Sequence, residues 1–431
     1  MKLSKDLTEL VQANIIDQAT ADKISNYYET KTTSPQSKMV IVFGILGSLL
    51  VSLGIILILA HNWDDLTRTT KSVIAFIPLV IGQGLCAFTL LKRRESTAWR
   101  ESSAVFLMFA IGACISLISQ IYNIPGNLTS FLLTWVLLGI PIVYLMNSSA
   151  ASLLYIIGIT YYACQIGYWE YHGPENYSYW GLLLLILPHY YYLFTKKSDS
   201  NFFTIHNWFI PLSVIAVLGT LATNASEVMF VAYMSLFGLL YQIGGLPTLR
   251  DLKIRNNGYL VLGSLGTVVV LLILGFDFFW YDWRGEPLPA GFFGSPEFIT
   301  SFILTIAALG LLIYQKMKIT PISLRPAEWV FIVFVGLFYL GNLSPFVVVW
   351  INLLTLLIAV LTIREGAIRN HFGILNYGLL IITGLIICRF FDVDIDFVLK
   401  GILFVLVGLG FFFANLWMMK RKKKMITNPG S

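Results

Sequence analysis

The chain has 431 residues, of which 57% are apolar and 12% charged, with a mean hydropathy of +0.76. Soluble domains run at about 45–50% apolar and about 25% charged, so composition excludes a soluble globular protein and calls for a polytopic membrane protein. The net charge of +6 does not point to nucleic acid, because the basic residues stand in short clusters beside apolar segments.

Residues 1–38 read as a cytoplasmic helical tail. Leu7, Leu10, Val11 and Ile15 fall at helical spacing, with Ser4 as an N-cap. Asp17 or Thr20 would cap a second helix bearing Ile24, Tyr27 and Tyr28, and Thr30 to Ser37 forms a polar linker with Pro35. Such a hairpin buries little core alone, so it packs on the membrane face or on a partner. The stretch is too polar for the apolar part of a signal peptide, and the first span is expected to act as its own insertion signal.

A transmembrane helical bundle follows over residues 39–419. Fourteen apolar segments run near 39–61, 72–91, 102–122, 129–146, 149–168, 178–195, 204–223, 227–245, 256–276, 298–316, 328–342, 345–363, 371–389 and 396–419. Most have the length a bilayer demands, about 20 residues, and 328–342 is the shortest. The fold class is therefore all-α. The pair at 328–342 and 345–363 has a competing reading. Gly341 to Pro345 would be a break within one helix at mid-membrane, giving 13 spans and an external C-terminus. The basic tail over 420–431, beginning Lys420-Arg421-Lys422-Lys423-Lys424, argues against that.

Charge supports the alternation. With the N-terminus inside, 24 of the 29 Lys and Arg fall on cytoplasmic stretches, the exceptions being Arg68, Lys71, Arg284, Arg389 and Lys400. Cytoplasmic loops carry an excess of basic residues, so both termini are placed inside. Sorting the acids the same way leaves the inside at +13 and the outside at −7. The basic side suits anionic inner-leaflet lipid. Tyr161, Tyr162, Tyr168, Trp169, Tyr171, Tyr177, Tyr179, Trp180 and Tyr190 to Tyr192 gather where an interfacial aromatic belt would lie. Cys86, Cys114, Cys164 and Cys388 show no metal-type spacing and read as free apolar thiols.

The candidate polar site lies on the outer face. Trp63, Asp64 and Asp65 follow the first span, and adjacent carboxylates there could bind a divalent metal or serve as a general base. Membrane glycosyltransferases with lipid-phosphate donors are similar in placing acids in their first external loop, but this loop is short. The plainer reading is an interfacial turn with Trp63 as anchor. Near the C-terminus, Arg389 precedes Asp392, Asp394 and Asp396, and Lys400 stands in the last span. Acids at alternate positions could hold a hard cation, or simply complement a helix N-terminus, with Lys400 pairing Asp396 four residues away. The outside segment 277–297, with Trp280, Trp283, Phe292 and Phe293, is expected to fold back on the membrane, as a lid or as a plain connection. Inside the spans the polar groups are few: Gln83, Gln120, Gln165, His189, Asn352, Asn376 and Asn415. These suit helix-to-helix hydrogen bonds, and His189 could respond to protons. No deep acid of the kind a proton- or sodium-coupled carrier uses is evident. There is no Walker A, HExxH or GxSxG motif, and no cofactor is expected. Asn-x-Ser/Thr tripeptides at Asn127, Asn176, Asn224 and Asn342 would matter only in a eukaryotic secretory route.

The run Leu10-Val11-Gln12-Ala13-Asn14-Ile15-Ile16-Asp17, the glycine-spaced first span from Gly44 to Gly54, and the element Ala60-His61-Asn62-Trp63-Asp64 before Lys71 resemble the DUF2157 family of bacterial membrane proteins over about residues 5–150. Arg389-Phe390-Phe391 with Gly401, Gly408, Gly410 and Asn415 is similar to the ends of such proteins. The resemblance implies a bacterial inner-membrane protein with a cytoplasmic N-terminal helical domain, and a membrane-anchored GDYXXLXY-domain protein as partner. It implies no reaction. The leading expectation is transport, flipping or export of a small or amphipathic solute. The rivals are an outer-face enzyme of lipid-linked glycosyltransferase type and a scaffold subunit that recruits a partner.

Overall fold

A computed structural model describes residues 7, 10–13, 15–31, 63–169, 177–223, 225–281, 283–285, 287, 291–318, 326–392 and scattered positions between 401 and 416. The first predicted span at 39–61, most of the last at 396–419, Tyr171, Asp282, Glu286, Asp394, Asp396, Lys400 and the basic tail lie outside the described residues. The chain forms two compact units, Met1–Ala75 and Phe76–Ser431.

In the first unit α1 runs Gln18–Lys31. Asp17 is its cap: the Asp17 carboxylate accepts from the Thr20 backbone N–H at 3.3 Å. Hydrogen bonding to Thr20, led by its side chain, holds the Asp17 carboxyl below the usual range. Of the two caps anticipated, the carboxylate wins because the Ncap position offers its oxygen to a donor three residues on.

The rest is helical, with no strand among the described residues. Helices α2 (Arg68–Lys92), α3 (Thr97–Tyr122), α4 (Leu128–Leu145), α5 (Ser149–Cys164), α6 (Ser178–Lys196), α7 (Asn201–Leu218), α8 (Met229–Gly244), α9 (Gly258–Leu274), α10 (Pro296–Lys318), α11 (Pro326–Leu343), α12 (Val347–Ile368) and α13 (Phe372–Asp392) follow in order. Every predicted segment from 72–91 to 371–389 overlaps one of these helices, although α6 is not among those apolar enough to cross a membrane. Among the described residues nine helices are long and apolar enough to cross a membrane, and α9 and α11 are shorter apolar helices. α11 and α12 are separate helices packed against each other, joined through Ser344–Phe346 rather than running on as one.

The starts of these helices are written in the sequence. Asn127 and Ser130 form a reciprocal capping box on α4, with Ser130 N–H donating to Asn127 Oδ1 at 2.9 Å. Ser148, Ser200 and Asn257 cap α5, α7 and α9, each side chain accepting from the backbone N–H three residues on. The Asn127 tripeptide is thus a helix cap. α4 and α5 are joined by only Met146–Ser148, and Asn147 makes the reversal in the left-handed region, φ 47°, which Asn tolerates better than most residues.

Two apolar cores organise the second unit. One joins α2 to α7 around α5, and includes Met108, Val136, Tyr155, Ile159 and Ile186. The other joins α8 to α13 with parts of α6 and α7, and includes Met234, Leu271, Phe334 and Ile351. α8 is the most enclosed span, 72% buried over its apolar window, against 22% for α2, α10 and α13. α8 packs on α9, α10 and α11. Gly263 lets α9 reach the α8 backbone, since a Cβ there would lie 2.5 Å from the Tyr241 nitrogen. Small residues allow this close approach between membrane helices.

Side-chain bonds fix which helix ends meet. Asn207 Nδ2 donates to Asn256 O at 3.2 Å and Trp208 Nε1 to Arg255 O at 3.0 Å. Asn257 Nδ2 donates to Gly244 O at 2.8 Å, Gln242 Nε2 to Glu328 O at 2.9 Å and Gln315 Nε2 to Gln242 O at 2.6 Å. Lys316 pairs with Glu328 at 2.6 Å. Arg250, Lys253 and Arg255, between α8 and α9, and Lys316, in the last turn of α10, therefore gather at one end of these helices.

At the opposite end, the segment after α9 is anchored in the bundle. Trp280 and Trp283 are buried against Phe338, with ring centroids 5.7 and 5.0 Å away. Trp280 Nε1 donates to Leu274 O at 2.9 Å and Asn342 Nδ2 to Trp283 O at 2.6 Å. Phe292 is buried and Phe293 exposed. Asp277 pairs with Arg284 at 2.6 Å.

Candidate functional site

Trp63, Asp64 and Asp65 fall in the first unit, and Arg389 and Asp392 in the second. Trp63–Leu66 forms a turn before α2, with Leu66 N–H donating to Trp63 O at 3.2 Å. Asp64 and Asp65 are exposed and Trp63 half-buried. Lys71 Nζ lies 5.7 Å from the Trp63 ring centre, which suits an interfacial anchor. Arg389 is in the last turn of α13, its guanidinium 4.7 Å from the centre of the Phe276 ring. Asp392 is the final residue of that helix. Among the described residues, no group of three or more His, Cys, Asp or Glu could hold a metal ion.

The richest buried polar arrangement lies elsewhere, between α3, α5, α6 and α7. It begins at Glu101 in the second turn of α3. This buried carboxylate accepts from Ser148 Oγ at 2.5 Å, from Ser149 N–H at 3.2 Å and from Ala150 N–H at 2.8 Å. It therefore closes the N-terminus of α5, where free N–H groups and the helix dipole favour an anion. Ser149 Oγ is 3.4 Å from His189 Nε2 on α6, and Ser152 Oγ is 2.8 Å from His206 Nε2 on α7. His206 Nδ1 lies 2.7 Å from Phe202 O, so the two imidazole nitrogens are both engaged. The two imidazoles are 6.0 Å apart, centre to centre.

The polar groups continue along α5. Tyr155 donates to Leu182 O at 3.0 Å. Thr160 Oγ1 and Tyr179 Oη each lie 2.6 Å from Ser213 Oγ. Tyr168 donates to Ala216 O at 2.8 Å, from a π-helical turn over Gln165–Trp169 that ends α5. Ser149–Trp169 spans 21 residues, about 30 Å at 1.5 Å per residue. The seam thus runs the thickness of a bilayer. Tyr162 and Tyr179, expected in the interfacial belt, are buried, whereas Tyr161, Tyr168, Trp169, Tyr177 and Tyr191 are exposed.

At the basic end a cavity of about 330 Å³ opens between α2, α3, α4 and α6. Arg94, Arg100, Asn147, His189 and Tyr192 line its polar side, and Leu90, Leu145, Met146 and Pro188 its apolar side. Lys197 Nζ stands 5.6 Å from the centre of the Tyr192 ring. Tyr144 on the wall donates to Leu185 O.

At the other end, Glu297 is fully buried at the start of α10 and accepts from Thr223 N–H and Oγ1 and from Ala225 N–H at 2.5, 2.9 and 3.1 Å. Glu101 and Glu297 both fall one residue outside the predicted spans, so composition by segment hides them. His206 lies inside a predicted span, but its role shows only when Ser152, 54 residues earlier, meets it. Asn352 does bond helix to helix, donating to Gly275 O at 3.1 Å. Cys86 and Cys114 are buried, Cys164 and Cys388 are half-buried, and none of the four forms a disulfide.

Residues 8–152 match the model of a family described as predicted membrane protein, DUF2157. The matched stretch contains Arg94, Arg100, Glu101 and Ser148 to Ser152, and stops before His189 and His206. No curated protein and no solved structure matches the chain.

Proposed function

We propose that this multi-helix membrane protein, whose residues 8–152 match a family of predicted membrane proteins, moves a small or amphipathic solute across a bacterial inner membrane, with its basic end cytoplasmic. The observation that carries the reading is the buried seam of hydroxyl and imidazole groups between α5, α6 and α7. Polar groups cost free energy in hydrocarbon, and in membrane helices they mark solute and ion pathways or glue between helices. Here they run from a cavity at the basic end to the far end of α5.

The test is movement in vesicles. The protein is reconstituted with NBD-labelled phosphatidylglycerol and then treated with dithionite, which bleaches only outer-leaflet label. Bleaching beyond the level of protein-free vesicles is expected. Replacing Ser152 and Thr160 by Val should slow it while the protein remains folded. Bleaching no greater than in protein-free vesicles would overturn lipid movement.

A further inference from the structure

The cavity between α2, α3, α4 and α6 poses a separate question, because its charges are not used by the helices around it. Arg100 stands in the first turn of α3. A cation is disfavoured there, at the positive end of the helix dipole. That turn holds no acidic residue, and Ser96 makes no side-chain cap bond. Arg100 Nε is buried without a hydrogen-bond partner. Its chain neighbour Glu101 turns away, with its oxygens taken by Ser148, Ser149 and Ala150. Arg94 lines the same cavity, and no ion pair is found for Arg94 or Arg100 among the described residues. His189, only 3% exposed, forms part of the wall.

We propose that this cavity is a binding site for a phosphate-class anion, held by Arg100 and Arg94 with Asn147 and Tyr192 as neutral partners. An arginine fork matches phosphate oxygens in pairs. The cavity of about 330 Å³ equals the volume of roughly ten waters. That admits a phosphate headgroup but not a whole lipid. Leu145, which lines the cavity, is 66% exposed, and Leu184 and Tyr191 are exposed on the nearby α6. Acyl chains of a lipid would lie on such surfaces while the headgroup enters. Basic pockets between helices on the cytoplasmic side bind anionic headgroups in this manner. The proposal goes beyond solute movement, since it requires binding alone.

The test uses the full chain in neutral detergent and follows its melting temperature with two probes, inorganic phosphate and phosphatidylglycerol, against phosphatidylcholine as a neutral control. A ligand that binds the folded state raises the melting temperature, by an amount that grows with the logarithm of its concentration over Kd. Stabilisation by phosphatidylglycerol alone identifies a lipid headgroup, and stabilisation by phosphate as well identifies a soluble anion. Arg100→Gln should weaken the stabilising ligand about ten-fold or more, as expected for loss of a charged hydrogen bond. Arg94→Gln and Arg100→Lys supply further variants should Arg100→Gln fold poorly. Arg250→Gln, with the same charge change on another loop of the basic end, should bind as wild type. Stabilisation by neither probe overturns the proposal. So does an equal loss in Arg250→Gln, which would reduce the effect to general surface charge.

Discussion

Replacing Glu101 by Ala is the sharpest test of the seam. The carboxylate takes two backbone N–H groups and one hydroxyl at the start of α5. Alanine leaves the buried Ser149 N–H and the part-buried Ala150 N–H, bonded at 2.8 Å, without an acceptor. An orphaned buried donor costs about 1–3 kcal/mol, and loss of an anion at a partly buried helix N-terminus adds up to about 2 kcal/mol. The Ser149 bond, at 3.2 Å, adds less. The expected loss is therefore about 3 kcal/mol. Glu101→Gln should lose about half of that, because its amide oxygen still accepts one N–H while its NH₂ group meets the Ser148 hydroxyl. Purified protein in detergent, melted with a thiol-reactive dye that reports Cys86 and Cys114 as they become exposed, gives the ranking. Wild type should melt highest, Glu101→Gln next and Glu101→Ala lowest, with Glu95→Ala, an exposed loop change, indistinguishable from wild type. A Glu101→Ala protein that melts with wild type would refute the capping role and remove the first member of the seam.

Three further outcomes are expected. Ser152→Ala should destabilise by about 1–2 kcal/mol by leaving the buried His206 Nε2 unpartnered; equal urea midpoints for mutant and wild type would show that the imidazole does not depend on it. Gly341→Ala would place a methyl 2.2 Å from the Trp280 ring and should cost about 1–3 kcal/mol with a shift in tryptophan emission; an unchanged spectrum and melt would mean Trp280 is not seated there. Single cysteines at Ser178 and Ser198, at opposite ends of α6, introduced in a background lacking the native cysteines, should react with impermeant maleimide from outside and inside respectively; labelling from the same face would break the alternation.

Helix positions were legible because hydropathy integrates over about 20 residues, and small errors at the ends do not erase a segment. Caps at Asn127, Ser148, Ser200 and Asn257 follow from local chemistry alone. The polar seam was not legible in the same way. Its members are ordinary Ser, Thr, Tyr and His residues, and what distinguishes them is which partner they meet across α5, α6 and α7. His189 was recognised as unusual by itself; Ser149, Ser152 and His206 gain meaning only as pairs. Arg100 read as one base among many on the inner side, until its buried Nε and the cavity before it set it apart. The outer acids stood out for the opposite reason. Asp64 and Asp65 are dense in sequence, yet both are exposed and form no metal-sized group among the described residues.

The enclosure of α8 bears on how the chain is built. A ribosome delivers α8 before α9, α10 and α11, the helices that later hide it. Until they arrive, Ser235 and Gln242, both buried in the finished protein, must face lipid, headgroups or earlier helices. Their lasting partners, Thr305, Glu328 and Gln315, are synthesised 70 or more residues later. The core of the second half is thus laid down first and its walls close around it. A chain stopped after α8 would leave these polar groups without their partners, and should be removed by quality-control proteases faster than one stopped after α11.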